Sequence, residues 1–245
     1  MQKYKWIFII GCYNSGTTLL NSILRQHPDI AGLPNEGQFL TDVFVTPKSV
    51  GVPRLWAEKE ALFRFSPDEK ALEAERAKQD WIKLLDKPEA PYALEKSPTN
   101  TARTLWLERH FEQPYFIHIV RNGYVVAMGI DAKVKSVYVP NLLSKAAHQW
   151  SRSLEIVLED APKLTNFLEV RYEDFTANPV GIMDDICTFL DLPVLSSEQL
   201  LQNYIVHGVN SRIKNKNIER LNVMTKEQER IIYDQAGKLL DQYNY

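Results

Sequence analysis

The sequence predicts an open α/β architecture, a mainly parallel sheet with helices on both faces. Three observations carry that reading. Short, near-continuous apolar runs recur along the chain, helical stretches separate them, and the first run leads through a glycine-bearing loop straight into a helix. Strands apolar throughout have no wet face, so both sides of the sheet must be covered.

Residues 6–10 form the first predicted strand, and Leu19, Leu20, Ile23 and Leu24 keep helical spacing until His27-Pro28 stops them. Further strands are expected at 92–95, 115–120 and 167–170, each short and rich in aromatic or β-branched residues. Helices are expected at 69–85, 141–158, 180–190 and 225–240. Residues 41–66, with Pro47, Pro53, Trp56, Phe63 and Phe65, read as an irregular insertion. Its aromatics, with Trp81, suit an apolar ligand pocket or the core, and the core is the commoner place for them. Without repeats or a linker, the expectation is one domain over 1–245, variable around 41–90.

Composition limits the partners. The 29 basic and 31 acidic residues leave a formal net charge of −2, so no nucleic-acid or anionic-membrane footprint exists at the level of the whole chain. An anion site must be local. The apolar run at 6–10 is too short for a membrane span, which needs about 20 apolar residues, and no small-residue cleavage site follows it. Neither a transmembrane segment nor a secretion signal is expected. Cys12 and Cys187, the two cysteines, form no disulfide framework and suit a cytoplasmic compartment as buried thiols.

After the first strand comes Gly11-Cys12-Tyr13-Asn14-Ser15-Gly16-Thr17-Thr18, opening into the helix. This is the geometry of a phosphate-cradling loop: glycines let the backbone approach, and unpaired amides at the helix start favour an anion. Ser15, Thr17 and Thr18 add hydroxyl donors. The nucleotide-triphosphatase pattern GxxxxGK[ST] puts a lysine where this chain has Thr17. The strand at 115–120 ends in Arg121 instead of a magnesium-holding aspartate. The loop reads as built for a nucleotide phosphate without a metal.

Several motifs together resemble the family of sulfotransferases that use 3′-phosphoadenosine-5′-phosphosulfate (PAPS). Ser15-Gly16-Thr17-Thr18 is similar to the family's phosphosulfate loop, and Phe116-Ile117-His118-Ile119-Val120-Arg121-Asn122-Gly123 to its second fingerprint. Leu94-Glu95-Lys96-Ser97-Pro98-Thr99-Asn100, Val170-Arg171-Tyr172-Glu173-Asp174-Phe175 with Asn178-Pro179, and Phe189-Leu190-Asp191-Leu192-Pro193 follow in the family's order. The resemblance implies a P-loop NTPase-like fold and metal-independent sulfuryl transfer to a hydroxyl, less readily an amine, with adenosine 3′,5′-bisphosphate as product. Two positions depart from the pattern. Asn14 stands where many relatives carry lysine or arginine, and Gly129 where a serine usually helps hold the 3′-phosphate.

By the same resemblance, Asn14, Ser15, Gly16, Thr17 and Thr18 hold the 5′-phosphosulfate and Arg121 the 3′-phosphate, where a guanidinium offers bidentate bonds that lysine does not. Lys96 would neutralise the bridging oxygen or sulfuryl. Arg212, in the basic stretch from His207 to Lys216, would close over the nucleotide. Glu36, just beyond the first helix, is the candidate general base, and Pro98 fills the place where some relatives use a histidine. His27, His118, His148 and His207 have ordinary structural explanations, and Tyr172-Glu173-Asp174 reads mainly as a strand-end turn. The acceptor is a small molecule, glycan or peptide, and the oligomeric state is not encoded legibly. Two other readings stand beside this one. A P-loop kinase with a degenerate loop would bind ATP with magnesium, and a non-catalytic nucleotide module would bind donor without transfer.

Overall fold

The computed structural model describes residues 4–135, 138–200, 202–206 and 209–245. Its strands are β1 (Lys5–Ile10), β2 (Ile30–Gly32), β3 (Tyr92–Lys96), β4 (Tyr115–Val120) and β5 (Phe167–Arg171), in one parallel sheet of order β2-β3-β1-β4-β5. A separate antiparallel hairpin joins β6 (Tyr204–Val206) to β7 (Val209–Ser211). The helices are α1 (Thr17–Leu24), α2 (Ala71–Ile82), α3 (Thr104–His110), α4 (Gly123–Val134), α5 (Leu142–Asp160), α6 (Tyr172–Ala177), α7 (Pro179–Phe189), α8 (Ser197–Leu200), α9 (Asn217–Leu221) and α10 (Lys226–Gln242).

β1 lies at the centre of the sheet because its side chains are apolar on both faces. Ile7 and Ile9 pack with Leu20 and Ile23 of α1 and Ile186 of α7, while Trp6 and Phe8 pack with Trp81 of α2, and with Trp106 and Phe111. Each such side chain contributes about 1.5–3 kcal/mol on full burial. The predicted layering is therefore observed.

The short elements α3, α6, α8, α9, β6 and β7 were not expected, and Tyr172-Glu173-Asp174, read mainly as a strand-end turn, opens α6. Three further differences bear on the cleft. β2 is only three residues long and carries no usable periodicity. α4, GYVVAMGIDAKV, is buried over most of its surface against α5, α10 and the sheet, so it lacks the apolar stripe by which a surface helix is read. The side chain of Asn122 starts it, accepting from the Val125 amide at 3.2 Å. The insertion is turns plus a short 3-10 stretch, Trp56–Leu62, and its aromatics face inward: Trp56, Phe63, Phe65 and Trp81 are core residues. The insertion reaches the cleft instead through Pro47-Lys48 and Pro53-Arg54.

Both cysteines are buried free thiols, and burial pushes Cys12 up to about 12. His118 is a satisfied core residue, its Nδ1 3.0 Å from Glu169 Oε2, and His27 Nε2 lies 3.0 Å from the Pro193 carbonyl. His207 lies outside the described residues. Among the described residues no helix is long and apolar enough to cross a membrane.

Candidate active site

Parallel strands end on one edge, and here the carboxyl ends of β3, β1 and β4 open onto a single cleft of about 750 Å³. The loop after β1 forms its floor. Gly11 and Gly16 take φ of 143° and 105°, conformations that favour glycine, and neither has room for a side chain. A β-carbon at Gly11 would meet the Ile119 carbonyl oxygen at 2.5 Å, and one at Gly16 would meet the Tyr172 ring at 2.8 Å. The Gly11 amide donates to Thr101 Oγ1 at 2.9 Å, tying the loop to the segment after β3. Asn14 sits at φ 65°, a left-handed conformation asparagine tolerates better than most residues.

Asn14, Gly16, Thr17 and Thr18 line the cleft at the start of α1. Ser15 does not. Its side chain is buried, and among the described residues neither its Oγ nor Asn14 Nδ2 has a hydrogen-bond partner. The orphaned Asn14 amide in the lining, two close-packed glycines and a helix N-terminus make a cradle that fits a phosphate or sulfate group.

At the end of β4, Arg121 is buried yet lines the same cleft. Its Nε donates to Asn217 Oδ1 at 2.8 Å and its Nη1 to the Asn14 carbonyl at 2.9 Å, while the guanidinium stacks 4.0 Å above the Tyr172 ring. Burial pulls its pKa below the usual arginine value. A desolvated cation held this firmly is pre-organised for an anionic ligand.

On the other flank, Lys96 at the end of β3 meets Glu36, with Nζ 2.5 Å from Oε1. The lysine side chain is 9 % exposed and the carboxylate 18 %. The second carboxylate oxygen accepts from Gln38 Nε2 at 2.6 Å, and Gln38 is in turn held by Thr99 Oγ1 at 2.9 Å. The turn carrying Glu36 is pinned from below: the Gly37 amide donates to buried Glu95 at 2.8 Å, and Trp81 Nε1 donates to the Gly37 carbonyl at 3.0 Å. Desolvation pushes the Glu95 carboxyl up to about 7. Glu36 and Gln38 line the cleft, so a carboxylate with a fixed orientation and an adjacent ammonium stands on the wall beside the loop.

The cleft is strongly basic in a chain whose net charge is −2. Among the described lining residues Lys48, Arg54, Arg121, Lys133, Arg212, Lys216 and Arg220 face only Glu36 and Glu219. Lys133 has its pKa lowered by burial and by the charges of Arg54 and Arg220. Such mutual repulsion is relieved by an anion in the cleft.

All the residues singled out from sequence except Ser15 therefore lie at or directly beside this cleft, Lys96 through its partner Glu36. Sequence reasoning missed Gln38, Arg54, Lys133, Asn217 and Arg220, and set Tyr172 aside as mainly part of a strand-end turn. For Tyr172 a signal existed: β5 is the parallel neighbour of β4, so residues just past its end must stand beside Arg121. For Asn217 none did.

The chain is 26 % identical over 212 residues to the protein-tyrosine sulfotransferase 1 of Danio rerio, covering 80 % of this chain and 56 % of that one. It is 28 % identical over 179 residues to the omega-hydroxy-beta-dihydromenaquinone-9 sulfotransferase of Mycobacterium tuberculosis, covering 61 % and 40 %. This chain thus spans about half the length of the curated relatives it matches. Among solved structures, the sulfotransferase domain from the curacin biosynthetic pathway superposes with a TM-score of 0.60 at 20 % identity, covering 100 % and 99 % of the two chains. A mouse sulfotransferase complexed with PAP gives a TM-score of 0.56 at 15 % identity, covering 98 % and 88 %. The family model described as the sulfotransferase family matches residues 7–196, and the chain belongs to that family.

Proposed function

We propose that this chain transfers a sulfuryl group from PAPS to a hydroxyl acceptor. The observation that carries the reading is the Lys96–Glu36 pair, set at 2.5 Å on the wall of the cleft whose floor is the phosphate loop. Bound donor would supply an activated sulfuryl group and a phosphate leaving group. The chain's own residues then have three tasks.

The loop amides with Thr17 and Thr18 would hold the 5′-phosphosulfate, and Arg121 with Arg212 the 3′-phosphate. Asn14, where family members commonly carry a cation, offers only a neutral amide, which leaves Lys96 to offset charge at the leaving oxygen. Glu36 would accept the acceptor's proton as the acceptor oxygen bonds to sulfur and the sulfur–phosphate oxygen bond breaks. Its place against Lys96 and Gln38 supports that role, because both neighbours donate to the carboxylate and fix its orientation. No step in this scheme calls on a metal.

The relatives' names give a protein tyrosine and an omega-hydroxy menaquinone as acceptors, both hydroxyl compounds, which supports the acceptor class. Two buried free thiols agree with a reducing, cytoplasmic location. The test is calorimetric binding of adenosine 3′,5′-bisphosphate in EDTA, against ATP with magnesium, for the native chain and Arg121→Ala, followed by sulfuryl transfer from PAPS to a hydroxyl panel. Bisphosphate binding that is sharply weakened in the variant, with transfer to some acceptor, supports the reading. Preference for magnesium-ATP would return it to the kinase alternative, and binding without transfer to any acceptor would return it to the nucleotide module.

A further inference from the structure

We infer that Glu173 is a positioning residue for Arg121 and acts through the side-chain amide of Asn217; this rests on the reading that Arg121 receives the donor's 3′-phosphate. From sequence, Glu173 reads mainly as part of a strand-end turn. It sits in the first turn of α6, immediately past β5, and its carboxylate is fully engaged. Oε1 accepts from Asn217 Nδ2 at 2.6 Å and from the Asn122 amide at 3.1 Å, and Oε2 accepts from the Tyr245 phenol at 2.9 Å.

The logic lies in donor and acceptor types. An arginine N–H only donates, and a carboxylate only accepts. Asn217 stands between the two, giving its Nδ2 to Glu173 and its Oδ1 to Arg121 Nε at 2.8 Å. Without an acceptor on its far side, nothing in this network would keep the Asn217 amide from turning Nδ2 toward Arg121, donor against donor. The carboxylate therefore selects the amide orientation that holds the guanidinium edge. The other restraints on Arg121, the Asn14 carbonyl and the Tyr172 ring, act on Nη1 and on the face, so Nε depends on Asn217. Two of five N–H groups are engaged in these bonds among the described residues, and the remainder are available to an anion in the cleft that Arg121 lines.

Glu173→Gln keeps the geometry: its carbonyl oxygen accepts from Asn217 and Asn122, and its amide donates to the Tyr245 oxygen. Glu173→Ala removes it. The experiment is calorimetric binding of adenosine 3′,5′-bisphosphate and of adenosine 5′-monophosphate, which lacks the 3′-phosphate, to the native chain and its variants. The expected result is a loss of about tenfold or more in bisphosphate affinity for Glu173→Ala, unchanged monophosphate affinity, and recovery to within about threefold in Glu173→Gln, where the same bonds re-form. In an Arg121→Ala background Glu173→Ala should cost nothing further, because the two act as one unit.

Asn217→Leu should reproduce the loss, and carries the same test if Glu173→Ala does not fold. Equal loss for both nucleotides, native affinity in Glu173→Ala and Asn217→Leu, or a full additional loss in the Arg121→Ala background would each overturn the inference. A native chain that did not distinguish the two nucleotides would overturn the 3′-phosphate reading itself and this inference with it.

Discussion

The side chain of Asn14 occupies space that Gly129 leaves open: a β-carbon at position 129 would lie 3.0 Å from Asn14 Nδ2 and 3.3 Å from its Cγ. These are the two positions at which the sequence departs from its family's pattern, and the fold places them in contact although 115 residues separate them. They form one coupled departure. Gly129→Ser should destabilise the chain by about 1 kcal/mol through overpacking against the amide, and the cost should largely disappear in Gly129→Ser with Asn14→Ala. Thermal melts of the two single variants and the double variant measure the coupling, and strict additivity would show that the contact carries no energy.

Arg121→Lys keeps the positive charge but loses the bond from Nε to Asn217, the bond from Nη1 to the Asn14 carbonyl, and the planar stack on Tyr172. Affinity for adenosine 3′,5′-bisphosphate should fall by roughly 10- to 100-fold. Calorimetry checks it. A lysine that bound as well as arginine would mean that charge alone is recognised.

Glu36→Gln keeps the size of the side chain and one acceptor oxygen for Lys96, but removes the charge and sets an amide donor against Gln38 Nε2. Turnover with an accepted hydroxyl should fall by roughly 10²–10⁴-fold, with bisphosphate affinity little changed. Single-turnover transfer measured alongside binding separates the two. A parallel loss of both would assign Glu36 to holding the cleft together.

The burial of Glu95 gives a pH signature. Its carboxyl is raised to about 7 from an ordinary 4.5, mainly by desolvation, so the folded chain binds a proton more tightly than the unfolded one. This contribution is fully present below pH 4.5 and is lost as pH rises through about 7. Across that window the native chain should lose stability relative to Glu95→Gln by an amount on the order of 3 kcal/mol. Denaturant melts at a series of pH values test it, and parallel curves for the two proteins would refute the assignment.

How much of this was legible in the sequence follows from distance along the chain. The first strand, its loop and α1 are contiguous, so their apolar run, glycines and helical spacing announced the cradle without tertiary information. Arg121 was readable for the same reason, at the end of an apolar strand. The pairing of Glu36 with Lys96 was not, because they lie 60 positions apart and no periodicity links them. Each had been assigned a role alone. α4 was missed because its burial on nearly every side erases the amphipathic signal, and with it went Lys133. Asn217 was beyond reach, since its meaning depends wholly on what folds against it.

The Tyr172 ring, which packs against Gly16 and carries the Arg121 guanidinium 4.0 Å from its centroid, also accepts from the Lys216 amide and donates to the Lys214 carbonyl through its hydroxyl. One rigid aromatic plate thus touches the loop, the arginine and the late basic segment together. It acts as a ruler. If the loop and Arg121 receive the two ends of one ligand, as proposed, their separation is fixed by a six-membered ring that neither compresses nor bends, and the cleft would tell ligands apart by how far apart their charges lie as well as by how many they carry.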